Sequence, residues 1–341
     1  MGDTVRGGAF LRAPDSSHRK LLRLGFAGLV ATTALVAAST AEARITQIQI
    51  LTRGVAFGGY SFDGVGQYEY ITGIATGEVD PNNPQNAIIT DIELAPRNAQ
   101  GHVVYQHNFY ILKPLNMNKG NHKVMYEPPN RGSKTYQSLN NTPTGGNDPA
   151  ALTDPAVLAD SFLWTRGYTT VWSGWENNLA TSLNNPNLTA TASLPIAHGP
   201  GNTTITGPGY EYIVTSATTP TTTYTLAYPA ASGDQNAPNA VLTHRVHLDD
   251  VPQVVPTTGW AYTDTANTKI KLMPGPFVDN DIYEFSYIAK DPTVNGLGFA
   301  ADATSMRGCA TRRRMMPARR TRSTATPTAS IPKSRRSRGA C

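Results

Sequence analysis

Short strand-like runs separated by turn residues fill the first third of this chain, and they restrict the fold more than any other feature. Thr46, Ile48 and Ile50 alternate with glutamines, which predicts a strand that begins at Arg44. Gly and Asn-Pro clusters such as residues 80–84 are typical of the turns between strands. Similar runs recur at residues 68–74, 87–94, 103–112 and 124–127. The sequence therefore predicts a β-rich N-terminal region.

The first helix is predicted at residues 155–165. Asp154 is a suitable N-cap. Pro155 fits the first helical position, because a backbone N–H there has no partner within the helix and its absence in proline costs nothing. Leu158 and Phe162 are four residues apart, so both side chains are expected on one face of this helix.

The remaining body changes in composition along its length. Residues 167–172 are typical of a buried strand, whereas residues 179–276 are rich in Thr, Asn and Pro and contain short alternating runs. This second stretch predicts a β-rich insertion. A strand at residues 282–287 and the opening of a second helix at residues 294–300 follow it.

The N-terminus is typical of an export signal. Basic residues precede an apolar run at 24–38, and Ala41-Glu42-Ala43 supplies the small residues that such a signal carries at its cleavage site. That run is shorter than the roughly 20 residues that cross a bilayer, which argues against a membrane anchor. We expect residues 1–43 to be removed, the mature chain to begin at Arg44, and the protein to be secreted or periplasmic without a membrane partner.

The net charge of +5 combines two segments of opposite sign. Between Arg44 and Asp302 there are 13 basic and 21 acidic residues, whereas the segment after Asp302 has 11 basic and no acidic ones. Cys309 and Cys341 both lie in that last segment, so the body has no disulfide available to it. Residues 304–341 show no periodicity, and their Arg-, Ser- and Thr-rich composition predicts a basic, disordered tail.

The sequence provides little support for a metal site or for a serine nucleophile. His244, His247 and Asp249 resemble a metal cluster, but an alternating run directs residues three apart to opposite sides, which favours a surface strand. No G-x-S-x-G motif occurs in the 341 residues, so the chain has no recognisable serine nucleophile. We therefore predict no catalytic residue, no cofactor and no metal in this chain.

Four stretches resemble the bacterial family of alpha/beta hydrolase domain-containing proteins. They are residues 94–99, 126–132, 167–175 and 282–300, of which the last three occur in the family's order. One departure is Pro128-Pro129, where the family more often has Val-Asn. The resemblance implies an α/β fold with a partial α/β-hydrolase-like sheet, truncated, over residues 44–303.

The resemblance also implies where a site would lie. Val124–Glu127 would be a central strand, and Asn130, Arg131 and Gly132 would form the loop that supplies an oxyanion donor, although a structural turn explains them equally well. Trp172 and Trp175 would wall a substrate pocket, with a place in the core as the alternative.

The likeness stops abruptly at Ala301, which predicts a change of reading frame. When the third base of each codon is joined to the first two of the next, residues 302–311 permit RDINAWLRYA, which resembles the family's next helix. Residues 335–340 permit S-Q-S-G-R, which resembles the family's nucleophile motif.

Two functions follow from these observations. The first is a secreted hydrolase of small-molecule esters or amides whose given chain is inactive because its nucleophile half is lost. The alternative is a secreted, non-catalytic ligand-binding protein with a basic tail. Arg312-Arg313-Arg314 in that tail has no interleaved aromatic residue for base stacking, so we expect no nucleic-acid partner.

Overall fold

The computed structural model describes residues 43–310, apart from 143–145, 178, 180–181, 188 and 217–218, and gives the backbone alone at 309 and 310. The predicted export signal, except Ala43, and residues 311–341 of the predicted tail lie outside the described residues. In the part of the chain that is described, none of the helices is both long and apolar enough to cross a membrane.

Strands dominate the described chain, with 38% strand against 16% helix. In chain order the strands are β1 (Arg44–Val55), β2 (Ser61–Phe62), β3 (Gly66–Val79), β4 (Val103–Pro114), β5 (Val124–Glu127), β6 (Thr169–Ser173), β7 (Ala192–Ser193), β8 (His198–Gly199), β9 (Thr203–Thr204), β10 (Thr206–Val214), β11 (Tyr224–Thr225), β12 (Val241–Arg245), β13 (Gln253–Val254), β14 (Trp260–Tyr262), β15 (Lys269–Leu272) and β16 (Ile282–Lys290). The α-helices are α1 (Tyr136–Asn140), α2 (Pro155–Ala159) and α3 (Gly296–Ala310). Short 3-10 helices lie at Phe57–Gly59, Pro84–Asn86, Ile92–Leu94, Met117–Lys119, Pro149–Ala151 and Thr257–Gly259.

The strands form a main sheet, a second sheet and two smaller ones. The main sheet has the order β1-β3-β4-β6-β5, with β2 added to β3 and β7 added to β4. The second sheet has the order β10-β16-β12-β13, and β11-β15-β14 and β8-β9 form the smaller ones. Because β16 leads through a short loop into α3, the second sheet is joined directly to the helix that packs on the main sheet.

The predicted α/β fold with a partial α/β-hydrolase-like sheet is wrong, because the molecule is β-rich and most of its strand pairs are antiparallel. β5 and β6 form the one parallel pair among the described strands. The connections explain the difference: β3 returns to β4 through residues 80–102, which contain two 3-10 turns and no crossover α-helix. In addition, α1 and α2 have five residues each, which is too short to cover the face of a parallel sheet.

Several local predictions are confirmed and others need correction. The runs predicted at 68–74, 103–112, 124–127, 167–172 and 282–287 coincide with β3, β4, β5, β6 and β16. Residues 87–94 do not form a strand, because the chain turns at Asp91, whose φ is 61°, into a 3-10 helix.

The helix predicted at residues 155–165 ends at Ala159. Asp154 caps it as expected, since its Oδ1 accepts a hydrogen bond from the backbone N–H of Ala156 at 2.9 Å. Leu158 is fully buried but Phe162 is 50% exposed, because residues 162–167 form turns that no longer share the helix's face.

The helix predicted to open at residues 294–300 continues past the expected domain boundary at residue 303. α3 runs to Ala310, and Thr304 is buried, with its hydroxyl on the Ala300 carbonyl at 2.6 Å and near the Tyr105 hydroxyl at 3.4 Å. Helix α3 therefore extends into the predicted tail, and Thr304 is packed against the body, whereas residues 306–308 are exposed.

Two aromatic clusters hold the sheets together. Under the main sheet, Trp164 and Trp172 pack with Tyr68 and Tyr136, and all four side chains are fully buried. A second cluster joins the second sheet to the three-stranded sheet: Phe285 on β16 packs against Trp260 on β14, with ring centroids 5.0 Å apart. Burial of such side chains contributes roughly 2–3 kcal/mol each.

The edge of the main sheet is formed by β1, a 12-residue strand that pairs with β3 and with no other described strand. Most of its residues are exposed, including Ile48 and Ile50, so both of its faces meet solvent. Its register shifts twice, between Ile45 and Gln47 and between Ile50 and Thr52.

Candidate functional site

A cleft of about 720 Å3 lies between the main sheet and the second sheet. Its wall includes Arg131 from the loop after β5, Trp175 and Glu176 from the loop after β6, and Glu211 from β10. Residues 224–228 and the start of α3 complete it. The cleft therefore opens at the carboxyl ends of the one parallel strand pair described, the edge at which open sheets commonly bind ligands.

The loop after β5 turns sharply to direct Arg131 toward this cleft. Arg131 and Gly132 have φ values of 47° and 78°, in the left-handed region that favours glycine. A Cβ at residue 132 would lie 2.3 Å from the Thr189 side chain, so this position requires glycine. The Arg131 guanidinium then reaches Glu176, with Nη1 2.5 Å from Oε1.

The predicted oxyanion loop is thus only partly at the cleft. Arg131 lines it, whereas Asn130 and Gly132 do not. Gly132 is buried, and its carbonyl accepts hydrogen bonds from the Ala190 N–H at 3.0 Å and the Asn147 side chain at 2.8 Å. This glycine anchors the loop to the segment before β7.

The two tryptophans that were predicted to wall a pocket lie in different environments. Trp175 lines the cleft, and its indole donates to the Pro129 carbonyl at 2.8 Å. Trp172 is fully buried in the core, where its Nε1 donates to Oε2 of the buried Glu127 at 2.6 Å. Only Trp175 can therefore contact a ligand in this cleft.

Trp175 is half of an aromatic pair. Its ring lies parallel to that of Phe299 in α3, with centroids 5.6 Å apart and planes 21° apart. Phe299 is 67% exposed. Gly298 permits this contact, because a Cβ there would lie 2.0 Å from the Trp175 carbonyl oxygen. The pair gives the cleft a flat apolar surface.

Two carboxylates face the cleft in different ways. Glu176 accepts from Arg131 through Oε1, while its Oε2 is buried and has no hydrogen-bond partner among the described residues. Glu211 is 6% exposed and is bound by neutral donors: the Ala227 N–H at 2.7 Å, the Tyr287 hydroxyl at 2.9 Å and the Tyr224 hydroxyl at 3.3 Å. Burial, together with this carboxylate, raises the pKa of Tyr224 to about 12, so Tyr224 remains a hydrogen-bond donor at neutral pH.

A buried network near the cleft includes a serine and an acid. Asp302 Oδ1 accepts from the Tyr126 hydroxyl at 2.6 Å and from the Ser173 hydroxyl at 3.1 Å, and burial raises the pKa of Asp302. Ser173 is fully buried and is not among the cleft residues. Within the described chain, no hydrogen bond joins Ser173 to a histidine. This network ties α3 to β5 and β6.

His244 and His247 do not form a metal cluster in the described part of the molecule. His244 lies on β12, with Nε2 2.7 Å from Asp281, and its ring stacks on Tyr283. β12 ends at Arg245, so His247 lies beyond the strand and contacts Asp250 instead.

Sequence reasoning missed most of the cleft. Glu176 directly follows the quoted stretch 167–175, and Glu211 lies between Tyr210 and Tyr212 in an alternating run. An acid on the inward side of a strand was the available signal for Glu211. Phe299 and residues 224–228 carry no local pattern that marks them.

In comparisons with family models, curated proteins and solved structures, no match to this chain was found.

Proposed function

We propose that this chain binds a small organic molecule in the cleft and that the 341-residue form does not hydrolyse it. The observation that carries the proposal is the combination, in one cavity of about 720 Å3, of the flat Trp175–Phe299 pair with the two carboxylates Glu176 and Glu211. Cavities of this size, mostly apolar with a few polar groups, are typical of small-molecule sites. The expected export signal supports a location outside the cytoplasm.

Binding is favoured over catalysis by the chemistry of the wall. The described lining residues include two carboxylates, one guanidinium, four aromatic rings and the hydroxyl of Thr225, and no serine, cysteine or histidine. Hydrolysis through a hydroxyl nucleophile needs a base within hydrogen-bond reach of it, and the described lining offers no histidine for that role beside Thr225. The lining is better suited to hold and orient a ligand.

A second candidate is hydrolysis of small esters or amides by the protein translated in the shifted frame after Asp302. The observation in its favour is that the loops after the parallel strands β5 and β6 both reach the cleft. In that form the cleft residues would bind the substrate, and the downstream S-x-S-G-R motif would supply the nucleophile.

The binding proposal is tested with two matched variants. Phe299 at the cleft and Phe162 in a turn elsewhere are both exposed phenylalanines, 67% and 50% respectively, and only Phe299 is among the cleft residues. The full chain is screened against small aromatic molecules by ligand-observed NMR. We expect molecules that bind the wild type to lose their signal with Phe299→Ala and to keep it with Phe162→Ala.

Two results would contradict this proposal. One is the absence of any binding molecule in the screen. The other is an equal loss of signal in both variants, since that would show that binding does not depend on the cleft.

A further inference from the structure

We infer that the ligand of this cleft is an organic cation, with an ammonium or guanidinium group on a flat apolar body. The inference rests on the proposed function and adds the class of ligand to it. Two features of the wall support it, its charge and its aromatic rings.

The charge of the wall is negative. Glu176 and Glu211 are both lining residues, and Arg131 is the one basic residue among those described. Arg131 is already paired with Glu176. Glu211 forms no ion pair within the described chain, and only neutral donors bind its buried carboxylate. A buried charge without a counter-charge is costly, so a cation in the cleft would stabilise Glu211.

The aromatic rings favour the same ligand. Tyr224 and Tyr228 line the cleft together with the Trp175–Phe299 pair. The faces of such rings attract ammonium and guanidinium groups, and the attraction increases when water is excluded. The rings and the carboxylates therefore act on a cation in the same direction.

The carboxylate of Glu176 adds to this preference through its charge. Its Oε2 is buried and accepts no hydrogen bond from the described residues, so a ligand does not reach that oxygen unless the side chain moves. The positive charge of an ammonium or guanidinium in the cleft still offsets part of the cost of the buried carboxylates, whereas a neutral alcohol would leave the charge of Glu211 without a partner.

The experiment compares three probes that share a phenyl ring and carry their polar group at a similar distance from it. They are 2-phenylethylamine, 2-phenylethanol and phenylacetate, which are cationic, neutral and anionic at pH 7. Dissociation constants are measured by calorimetry on the full chain. We expect the amine to bind about tenfold more tightly than the alcohol, a difference that corresponds to about 1.4 kcal/mol, and phenylacetate to bind most weakly.

Variants then test the source of this preference. Glu211→Gln should reduce the affinity for the amine to that for the alcohol. Glu176→Gln is the second test and should also reduce the affinity for the amine; its amide oxygen can still accept from Arg131, but the charge of that ion pair is lost. Glu284→Gln on β16 is the control, because Glu284 lies in the same sheet as Glu211 but is not a cleft residue. Circular dichroism confirms that each variant is folded.

The remaining outcomes overturn the inference in distinguishable ways. Equal affinity for amine and alcohol would contradict a cationic ligand and leave the proposed binding function in place. Tightest binding of phenylacetate would assign the cleft to anions through Arg131. Failure of all three probes, together with an empty NMR screen, would contradict both the inference and the proposed function.

Discussion

Replacement of Trp172 by phenylalanine should destabilise the molecule strongly without altering the cleft. Trp172 is fully buried in β6, and its indole N–H donates to Glu127 at 2.6 Å. Glu127 also accepts from the Thr135 backbone N–H at 2.6 Å, so β5, the start of α1 and β6 meet at this carboxylate. Phenylalanine keeps the aromatic ring but has no donor for Glu127.

The size of the effect follows from two losses. Removing a hydrogen bond to a buried charged acceptor costs about 1.5–3 kcal/mol. Two ring carbons are also lost from a close-packed core, at about 1–2 kcal/mol. The free energy of unfolding should therefore fall by about 3–5 kcal/mol, a large part of the 5–15 kcal/mol that is typical of a native protein.

The assay is urea unfolding followed by far-UV circular dichroism, with Trp175→Phe as the control. Trp175 donates to a neutral carbonyl and is only partly buried, so its replacement should cost about 1 kcal/mol. Ligand affinity should fall in Trp175→Phe and stay unchanged in Trp172→Phe. A loss below 1 kcal/mol for Trp172→Phe would refute the reasoning that this indole is a core donor.

Three further outcomes are expected. Burial lowers the pKa of His107 to about 4, below its value near 6.5 in the unfolded chain. The stability that this neutral histidine contributes above pH 6.5 is therefore lost as the pH falls, by about 2 kcal/mol at pH 5. Urea titrations above pH 6.5 and at pH 5 should show a smaller loss of stability for His107→Gln than for the wild type. In the same urea assay, Gly132→Ala should lower the free energy of unfolding by roughly 2–4 kcal/mol, because its Cβ would overlap with neighbouring atoms. Gly101→Ala should lower it by only about 1–2 kcal/mol, because a Cβ there meets nothing within 4 Å and only the left-handed backbone is strained. The 341-residue form should not hydrolyse p-nitrophenyl esters, the protein translated in the shifted frame should, and alanine at the serine of its S-x-S-G-R motif should abolish that activity; turnover by the 341-residue form would contradict the prediction.

Strand positions could be predicted because alternation is a local property of the chain. Val124–Glu127 and the strand predicted at residues 282–287 lie where the pattern put them. Alternation does not specify which strand is the partner or whether the pair is parallel, and the predicted α/β class failed for that reason. Residues 87–94 failed because the left-handed turn at Asp91 leaves no mark on the apolar pattern.

The cleft shows the same limit at the level of a site. The resemblance to a known family pointed to Arg131 and Trp175, and the structure brings both to one cavity. Glu211 and Phe299 come from distant parts of the chain, and only the pairing of β10 with β16 and the packing of α3 bring them there. A concave surface is a tertiary property that no short motif encodes.

The long edge strand β1 determines how this molecule behaves when many copies are present. A 12-residue strand whose second side pairs with no described strand offers a template on which another chain could extend the sheet. The register shifts at Ile45/Gln47 and Ile50/Thr52 confine an unbroken template to the few residues between them. Arg44 and Arg53, more than 60% exposed, add charge beyond both ends of that stretch. We therefore expect the interrupted edge to limit the extension of the main sheet from one molecule into the next.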